Sequence, residues 1–465
     1  MSRSHKVRIW EGKKVSVIQN IKKTINYSKK NGYKEAFFAA CERVIAKYHA
    51  DYRYEEPTKE RLLWQKEEQE AFSTKFSVIV PAYETKHEYL VALIESCLGQ
   101  SYEKWELIIA DGSESNVVAD CMAGYQDARL RYERLPENGG ISVNTNQALA
   151  FATGDYCGLL DHDDLLTPDA LFEMAKAIHE AKAKDTEPVL LYSDEDKCDF
   201  KGEHYFEPHF KPDFNPDLIL SNNYICHFCM IKTELLQKLK IRKEYDGAQD
   251  YDLVLRIVSG IWQREKEGSI SRMEDAIVHI PRVLYHWRCH DASTAVNPQS
   301  KMYAYEAGRN ALTDFVKRMG WKADVRHGKH LGFYRIAYRE EIFSHREDVA
   351  AVGGYVVSKG KVASGIYKGQ PIIYAGYMNR MDLYQNVKFL DIRNLAVNER
   401  YQQVYEEVTG QPYVSTLDMP VKEQPQWLQD MPADEINTLS KTLSKRLRAE
   451  GGRFVLDPEV IVKVK

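Results

Sequence analysis

Three carboxylates fall within four positions of the stretch GLLDHDDLLTP, residues 158–168: Asp161, Asp163 and Asp164. Desolvating even one ionised carboxylate costs several kcal/mol, so a cluster at the end of an apolar run calls for a positive partner. A hard divalent cation such as Mg²⁺ or Mn²⁺ takes oxygen ligands while retaining phosphates and water, and would neutralise a diphosphate leaving group there. The alternative is a helix start, with Thr167 as cap and Pro168 in the first turn. That explains Thr167 and Pro168 but not Asp161. A second polar loop, IIADGSES, carries Asp111, a carboxylate able to accept hydrogen bonds from a nucleobase or ribose, or to cap a turn. Together with PAYE (Pro81, Ala82, Tyr83, Glu84) and NGG (with Gly139 and Gly140), these loops can enclose a nucleoside while the acidic cluster and its ion hold the diphosphate.

The elements that must position these loops alternate. FSVIVPAY and WELIIADGS are short, β-branched apolar runs that read as buried strands, and HEYLVALIESCLGQ between them has helical spacing. A helix around Val117–Met122, a strand near LRYERL, a helix from about Val143 to Ala152 and the strand DYCGLLDHDD continue the pattern. Such alternation predicts βαβ units and a parallel sheet, with the polar loops converging at the carboxyl ends of the strands. From VLLYSDEDK onward the pattern becomes mixed, with a helix starting near GAQDYDLVLRIV and a linking helix from about Lys301 to Met319. The expected organisation is a basic helical region over 1–75, a catalytic unit over 76–320 and an appendage over 321–465.

The 465 residues are 44% hydrophobic, enough for a proper core, and carry a formal net charge of −4. That charge is uneven: residues 1–50 hold twelve Lys/Arg against three Asp/Glu, a local excess of nine. Val17, Ile18, Ile21 and Ile25 sit at helical spacing among those lysines, a pattern that suits either an anionic membrane surface or a solvated helix face. The eight cysteines lack a repeating framework and suit a reducing, cytoplasmic compartment. CHFC at 226–229 has the spacing of half a zinc site, but no second CxxC follows, and buried structural cysteines are the simpler reading. No signal-peptide core or run of 18 apolar residues occurs, nor a Walker lysine loop or a GxGxxG opening a helix. No nucleic-acid partner is expected.

The ordered set FSVIVPAYE, IIADGSES, ENGGISVNTNQALAFATGDYCGLLDHDD and GAQDYDLVLRIV resembles the donor domain of family 2 glycosyltransferases over about residues 76–295. The resemblance implies an α/β fold of the GT-A type: a Rossmann-like, mostly parallel sheet flanked by helices, here with an N-terminal helical annex and a C-terminal α/β appendage. It also implies that Ala82, Glu84 and Asp111 bind the nucleotide. The family's DxD element falls on Asp161 and Asp163, with His162 between them, Asp163 the metal ligand and Asp161 nearer the ribose. Asp250 is the implied general base, preceded by Gln249 where the family more often has Glu. His286 in YHWRCH is the implied further metal ligand, with His290 as alternative. Lys211 and Arg288 are candidate diphosphate partners or surface charges, and Asp194 with Glu195 is expected to border the sugar pocket.

FKPDFNPDLILSNNYICH and VLYHWRCHDAST resemble rhamnosyltransferase-like proteins of bacterial surface-polysaccharide assembly, and residues 347–410 resemble the later half of a second, truncated glycosyltransferase domain without a DxD cluster. The implied activity is inverting transfer from a UDP- or dTDP-sugar, with Mn²⁺ or Mg²⁺, to a glycan or lipid-linked glycan acceptor. The basic N-terminal helices would dock a cytoplasmic enzyme peripherally on the membrane, and self-association is expected. Two competing readings are metal-dependent nucleotidyl transfer, which would want a Gly-rich basic loop after the first strand, and an inactive carbohydrate-binding or scaffold partner of another glycosyltransferase.

Overall fold

The computed structural model describes Ser28 and residues 52–289, 302–328, 330–358, 361–364, 383–415, 417, 419 and 421–464. The helical pattern of Val17, Ile18, Ile21 and Ile25, and His290, lie outside these residues. The charged pattern after Pro57 forms the helix Lys59–Glu68, whose first turn is capped by the Thr58 hydroxyl accepting from the Arg61 amide.

Nine strands build the main sheet: β1 (Phe76–Ala82), β2 (Trp105–Asp111), β3 (Leu130–Arg134), β4 (Tyr156–Leu159), β5 (Leu165–Leu166), β6 (Leu190–Cys198), β7 (Tyr205–His209), β8 (Cys229–Lys232) and β9 (Ile277–Arg288). Their order is β3-β2-β1-β4-β8-β6-β9-β5, with β7 on β6. The first four are parallel, β8 runs antiparallel between β4 and β6, and β6 and β9 are parallel again. Strands buried on both faces need apolar residues at every position, hence the unbroken runs. On one face Ile79 and Ile108 pack with Val254, Trp262 and Leu312; on the other Val78, Val80 and Leu107 pack with Leu90, Leu93 and Phe172. The first of these cores continues through the helix Met302–Arg318 into the hairpin of β10 (Ala323–His327) and β11 (Tyr334–Tyr338), through Phe315, Trp321, Val325 and Ile336.

Register places the loops. Ala82 pairs with Asp111 and Asp111 with Arg134, while Leu160 donates its amide to Ile79, so the ends of β1, β2, β3 and β4 emerge along one edge.

The remaining chain builds a second sheet from β12 (Val349–Ser358), β13 (Lys361–Ser364), β14 (Gln385–Val387), β15 (Ala396–Val397) and β16 (Arg453–Val464), ordered β13-β12-β16-β14 with β15 on β12. Tyr401, Val404, Leu443, Leu447 and Phe454 form its own core. Buried charges hold it to the first unit. Arg346 contacts Asp217 at 2.9 Å and Asp348 at 2.7 Å, and Arg453 contacts Glu265 at 3.0 Å and Glu274 at 3.2 Å. Burial pushes the Asp348 and Glu274 carboxyls up, but the Arg346 and Arg453 guanidiniums outweigh it and hold both below the ordinary carboxylate range. A lowered folded-state pKa contributes stability above the unfolded value that is lost as pH falls through the folded one. The melting temperature is therefore expected to hold from pH 7 to about 5 and to drop as pH falls below about 4, with a change in Trp262 and Trp321 fluorescence. An unchanged melting temperature down to pH 3 would contradict it.

Candidate active site

Asp161 and Asp250 line one small pocket of about 70 Å³ together with Pro81, Cys226, His227 and Gln249. Asp161 follows β4 in the acidic loop, and Asp250 stands in the first turn of the helix Gln249–Lys266. The turn before that helix requires Gly247 at φ 94°, where an added Cβ would lie 2.7 Å from the Tyr303 ring. Asn223 Nδ2 donates to Asp250 Oδ2 at 2.9 Å, fixing the carboxylate at the positive end of the helix.

The nucleotide loops are stitched to one another. The Glu84 amide donates to Ser113 Oγ at 2.8 Å, and the Glu84 carboxylate accepts from the Glu114 and Ser115 amides and the Ser115 hydroxyl. The Ser115 hydroxyl is the main cause of the lowered Glu84 pKa. Asp111 is fully buried and accepts from Tyr132, from Arg134 and from the Ser113 amide at 2.8, 2.9 and 2.8 Å. Tyr83 remains exposed between these loops, and Ala82 is buried at the strand end. Gly139 and Gly140 precede the helix Ile141–Leu149; an added Cβ on Gly139 would fall 2.4 Å from Val143. Asn138 Oδ1 accepts from the Gly140 amide and from Asn144, whose Nδ2 would lie 2.9 Å from a Cβ on Gly112. The NGG and DGS loops thus pack directly on each other.

Five sequence expectations need correction, the last of them Arg288 as a diphosphate partner. His286 lies on the opposite face of β9 from the crevice: its Nδ1 is 2.5 Å from Asp196 Oδ1, and its ring packs on Tyr54 and Tyr205. Lys211 is not turned to a diphosphate, because its buried Nζ donates to the carbonyls of Ile225 and His227 and holds that segment in place. Asp194 is buried against the Lys211 amide at 2.8 Å and His279 Nε2 at 2.9 Å, facing away from the pocket. The cap of the helix Ala170–Lys182 is Asp169, two positions after Thr167, whose hydroxyl donates to it at 2.9 Å.

Arg288 is also buried. Its Nε donates to the Asp163 carbonyl at 2.6 Å and its Nη1 to the Phe200 carbonyl at 2.9 Å, while Nη2 has no hydrogen-bond partner. It therefore shapes the acidic loop from behind. Asp164 is structural: its buried carboxylate accepts from Tyr285 and from the Arg288 amide, and burial raises its pKa far above the usual range. His162 Nδ1 is shielded and without a hydrogen-bond partner.

The histidine on the crevice side is His227, the residue between the two cysteines of CHFC. Its Nε2 is 3.9 Å from Asp161 Oδ2, its Nδ1 is 3.2 Å from Glu195 Oε2, and its ring stacks on Tyr285 at 5.0 Å. Burial alone would lower its pKa; the Glu195 carboxylate beside it prevails and raises it to about 9. In the sequence its only mark is the CHFC segment, where the cysteine spacing suggests a metal or redox pair; Cys226 and Cys229 are both free thiols.

Among the described residues no group of three or more His, Cys, Asp or Glu side chains could by itself hold a metal ion. The acidic loop nonetheless suits Mg²⁺ or Mn²⁺, because the side chain of Asp161 is 45% exposed and such ions need only one or two carboxylates beside substrate phosphates and water.

Residues 77–240, most of the α/β unit that carries the acidic loop, match the family model for glycosyl transferase family 2. The chain is 38% identical over 253 residues to an uncharacterized protein, y4gI, of Sinorhizobium fredii, covering 53% of this chain and 26% of that protein. It is 31% identical over 253 residues to the O-antigen biosynthesis protein RfbC of Myxococcus xanthus, covering 54% of this chain and 18% of the relative. The chain thus spans about a quarter or less of the length of these two relatives. Among solved structures it is similar to S. aureus TarS 1–349 in complex with UDP, at 19% identity and TM-score 0.38 over 52% of this chain and 65% of that one.

Proposed function

We propose that this protein is an inverting, metal-dependent glycosyltransferase. It moves a sugar from a UDP- or dTDP-sugar to a hydroxyl of a glycan, carried on a lipid, in bacterial cell-surface polysaccharide assembly. The observation that carries this reading is the shared pocket of Asp161 and Asp250, one at a strand end and the other at a helix start 89 positions later in the chain. Asp250 takes the proton from the acceptor hydroxyl as it attacks the anomeric carbon, which is general-base catalysis by a carboxylate. Asp161 and Asp163 hold the diphosphate end of the donor, where a bound Mn²⁺ or Mg²⁺ would stabilise the charge on the leaving group. The Glu84, Asp111 and Gly139–Gly140 loops enclose the nucleoside.

The second sheet is read as a non-catalytic appendage, and the basic N-terminal segment as a peripheral membrane contact. No helix among the described residues is long and apolar enough to cross a membrane. A panel of nucleotide sugars with Mn²⁺ or Mg²⁺ tests the proposal through release of nucleoside diphosphate. One donor class is expected to be hydrolysed slowly without acceptor. Binding of sugars with no release from any donor would favour the inactive carbohydrate-binding reading instead.

A further inference from the structure

His227 meets the crevice with one ring nitrogen and is held from behind by the other. Its Nδ1 lies 3.2 Å from Glu195 Oε2, and its backbone amide donates to the same oxygen at 2.5 Å. Burial would raise the Glu195 pKa, but Lys211 Nζ at 3.9 Å and His209 Nδ1 at 3.1 Å hold it well below the ordinary carboxylate range. Glu195 is therefore an anion. An anionic acceptor at Nδ1 keeps a hydrogen on that nitrogen and turns Nε2 outward, while the stack on Tyr285, with ring planes 14° apart, stops the ring from turning.

Nε2 then faces Asp161 Oδ2 at 3.9 Å, too far for a hydrogen bond. Among the described residues neither Nε2 nor the Asp161 carboxylate has a hydrogen-bond partner, and both side chains stay open to the crevice, 24% and 45% exposed. Two ligands of one small divalent ion, each about 2.1 Å from it, stand about 3–4 Å apart. A histidine ligand almost always donates its other ring N–H to a carboxylate or carbonyl, which orients the ring and raises its basicity. His227 meets both conditions. His286 has the acid, Asp196, but lies on the other face of β9.

We propose that His227 Nε2 and the Asp161 carboxylate together bind the divalent ion of the crevice, with Glu195 orienting the imidazole, and that the ion is Mn²⁺ rather than Mg²⁺. The inference rests on the metal-dependent reading above and names a ligand for it. Mg²⁺ is held by oxygen ligands, whereas an imidazole nitrogen suits a transition-metal ion. Two protein ligands leave the other positions to phosphate oxygens and water. With no ion bound, Glu195 and then Asp161 hold a proton on the ring against the effect of burial, so binding an ion displaces that proton.

The test is pulsed electron paramagnetic resonance of Mn²⁺ on the full chain at about pH 8, alone and with UDP, because electron spin echo modulation detects a nitrogen bonded directly to the ion. Nitrogen coupling is expected in the wild type and is expected to vanish in His227→Gln. Calorimetry is expected to show Mn²⁺ binding more tightly than Mg²⁺, and the Mn²⁺ affinity falling about tenfold or more in His227→Gln and in Glu195→Gln. The wild-type spectrum decides the matter even where a variant fails to fold: Mn²⁺ bound without nitrogen coupling would overturn the proposal. So would coupling that persists in a folded His227→Gln, Mg²⁺ binding as tight as Mn²⁺, or no ion binding with or without UDP. Donor hydrolysis is scored separately. Release of nucleoside diphosphate without nitrogen coupling would sink this ligand and leave glycosyl transfer standing, and coupling with no release from any donor would do the reverse.

Discussion

Asp250→Asn is expected to lower the rate of sugar transfer by about 10²–10⁴-fold while the protein stays folded and still binds nucleotide. The substitution keeps the shape of the side chain and removes its basicity. Asn223 Nδ2, which donates to Asp250 Oδ2 at 2.9 Å, can donate equally to an amide oxygen, so the side chain stays in place. Asp252, two positions on, is the structural carboxylate of the same helix, pairing with Arg242 and with Arg256 at 2.9 Å, whereas Asp250 is held by the neutral amide of Asn223. The loss should therefore fall on the maximal rate rather than on donor affinity. Steady-state assays with wild type and variant decide it: a change of less than tenfold would remove Asp250 as the base.

Arg346→Met is expected to destabilise the protein by about 3–5 kcal/mol, the usual cost of removing one partner from a buried ion pair. The Arg346 and Asp217 side chains are only 1% and 3% exposed, and Asp217 Oδ2 already lacks a hydrogen-bond partner. Methionine would leave Asp217 without its guanidinium and Asp348 with Arg453 alone, at 3.2 Å. It would also remove the cation lying 4.6 Å over the Trp262 ring. Urea unfolding followed by circular dichroism should show the loss, and the double variant with Asp217→Leu should recover part of it because the stranded charge is gone. A loss below about 1 kcal/mol would contradict the assigned role of this pair.

The loops at the carboxyl edge were legible because unbroken apolar strands ending in polar residues have one simple solution, a sheet covered on both faces. Register then brought Ala82 beside Asp111. Asp161 was legible as a carboxylate that no local cap explains, whereas Asp250, at a helix start where a cap would serve as well, was reached only through the family resemblance. What failed was face parity. Around Asp194 the pairing of β6 with β9 shifts twice, between Ser193 and Asp194 and between Asp194 and Glu195. A register irregularity of this kind changes which side chains share a face, and no alternation rule applied to the sequence locates it. So Glu195, not Asp194, meets His227, and Tyr285, not His286, stacks beside it. Lys211 and Arg288 were read as phosphate partners from charge alone; their backbone acceptors come from distant segments and leave no mark in the local pattern.

The donor is proposed to sit in one crevice, bounded by Asp161 and Asp250. A crystal structure with a nucleoside diphosphate and Mn²⁺ tests it most directly. The base and ribose are expected between the Glu84, Asp111 and Gly139–Gly140 loops, with the diphosphate and metal at Asp161 and Asp163 and Asp250 facing the end where the sugar would be. A nucleotide bound elsewhere on the protein, with the Asp161 pocket empty, would contradict that assignment.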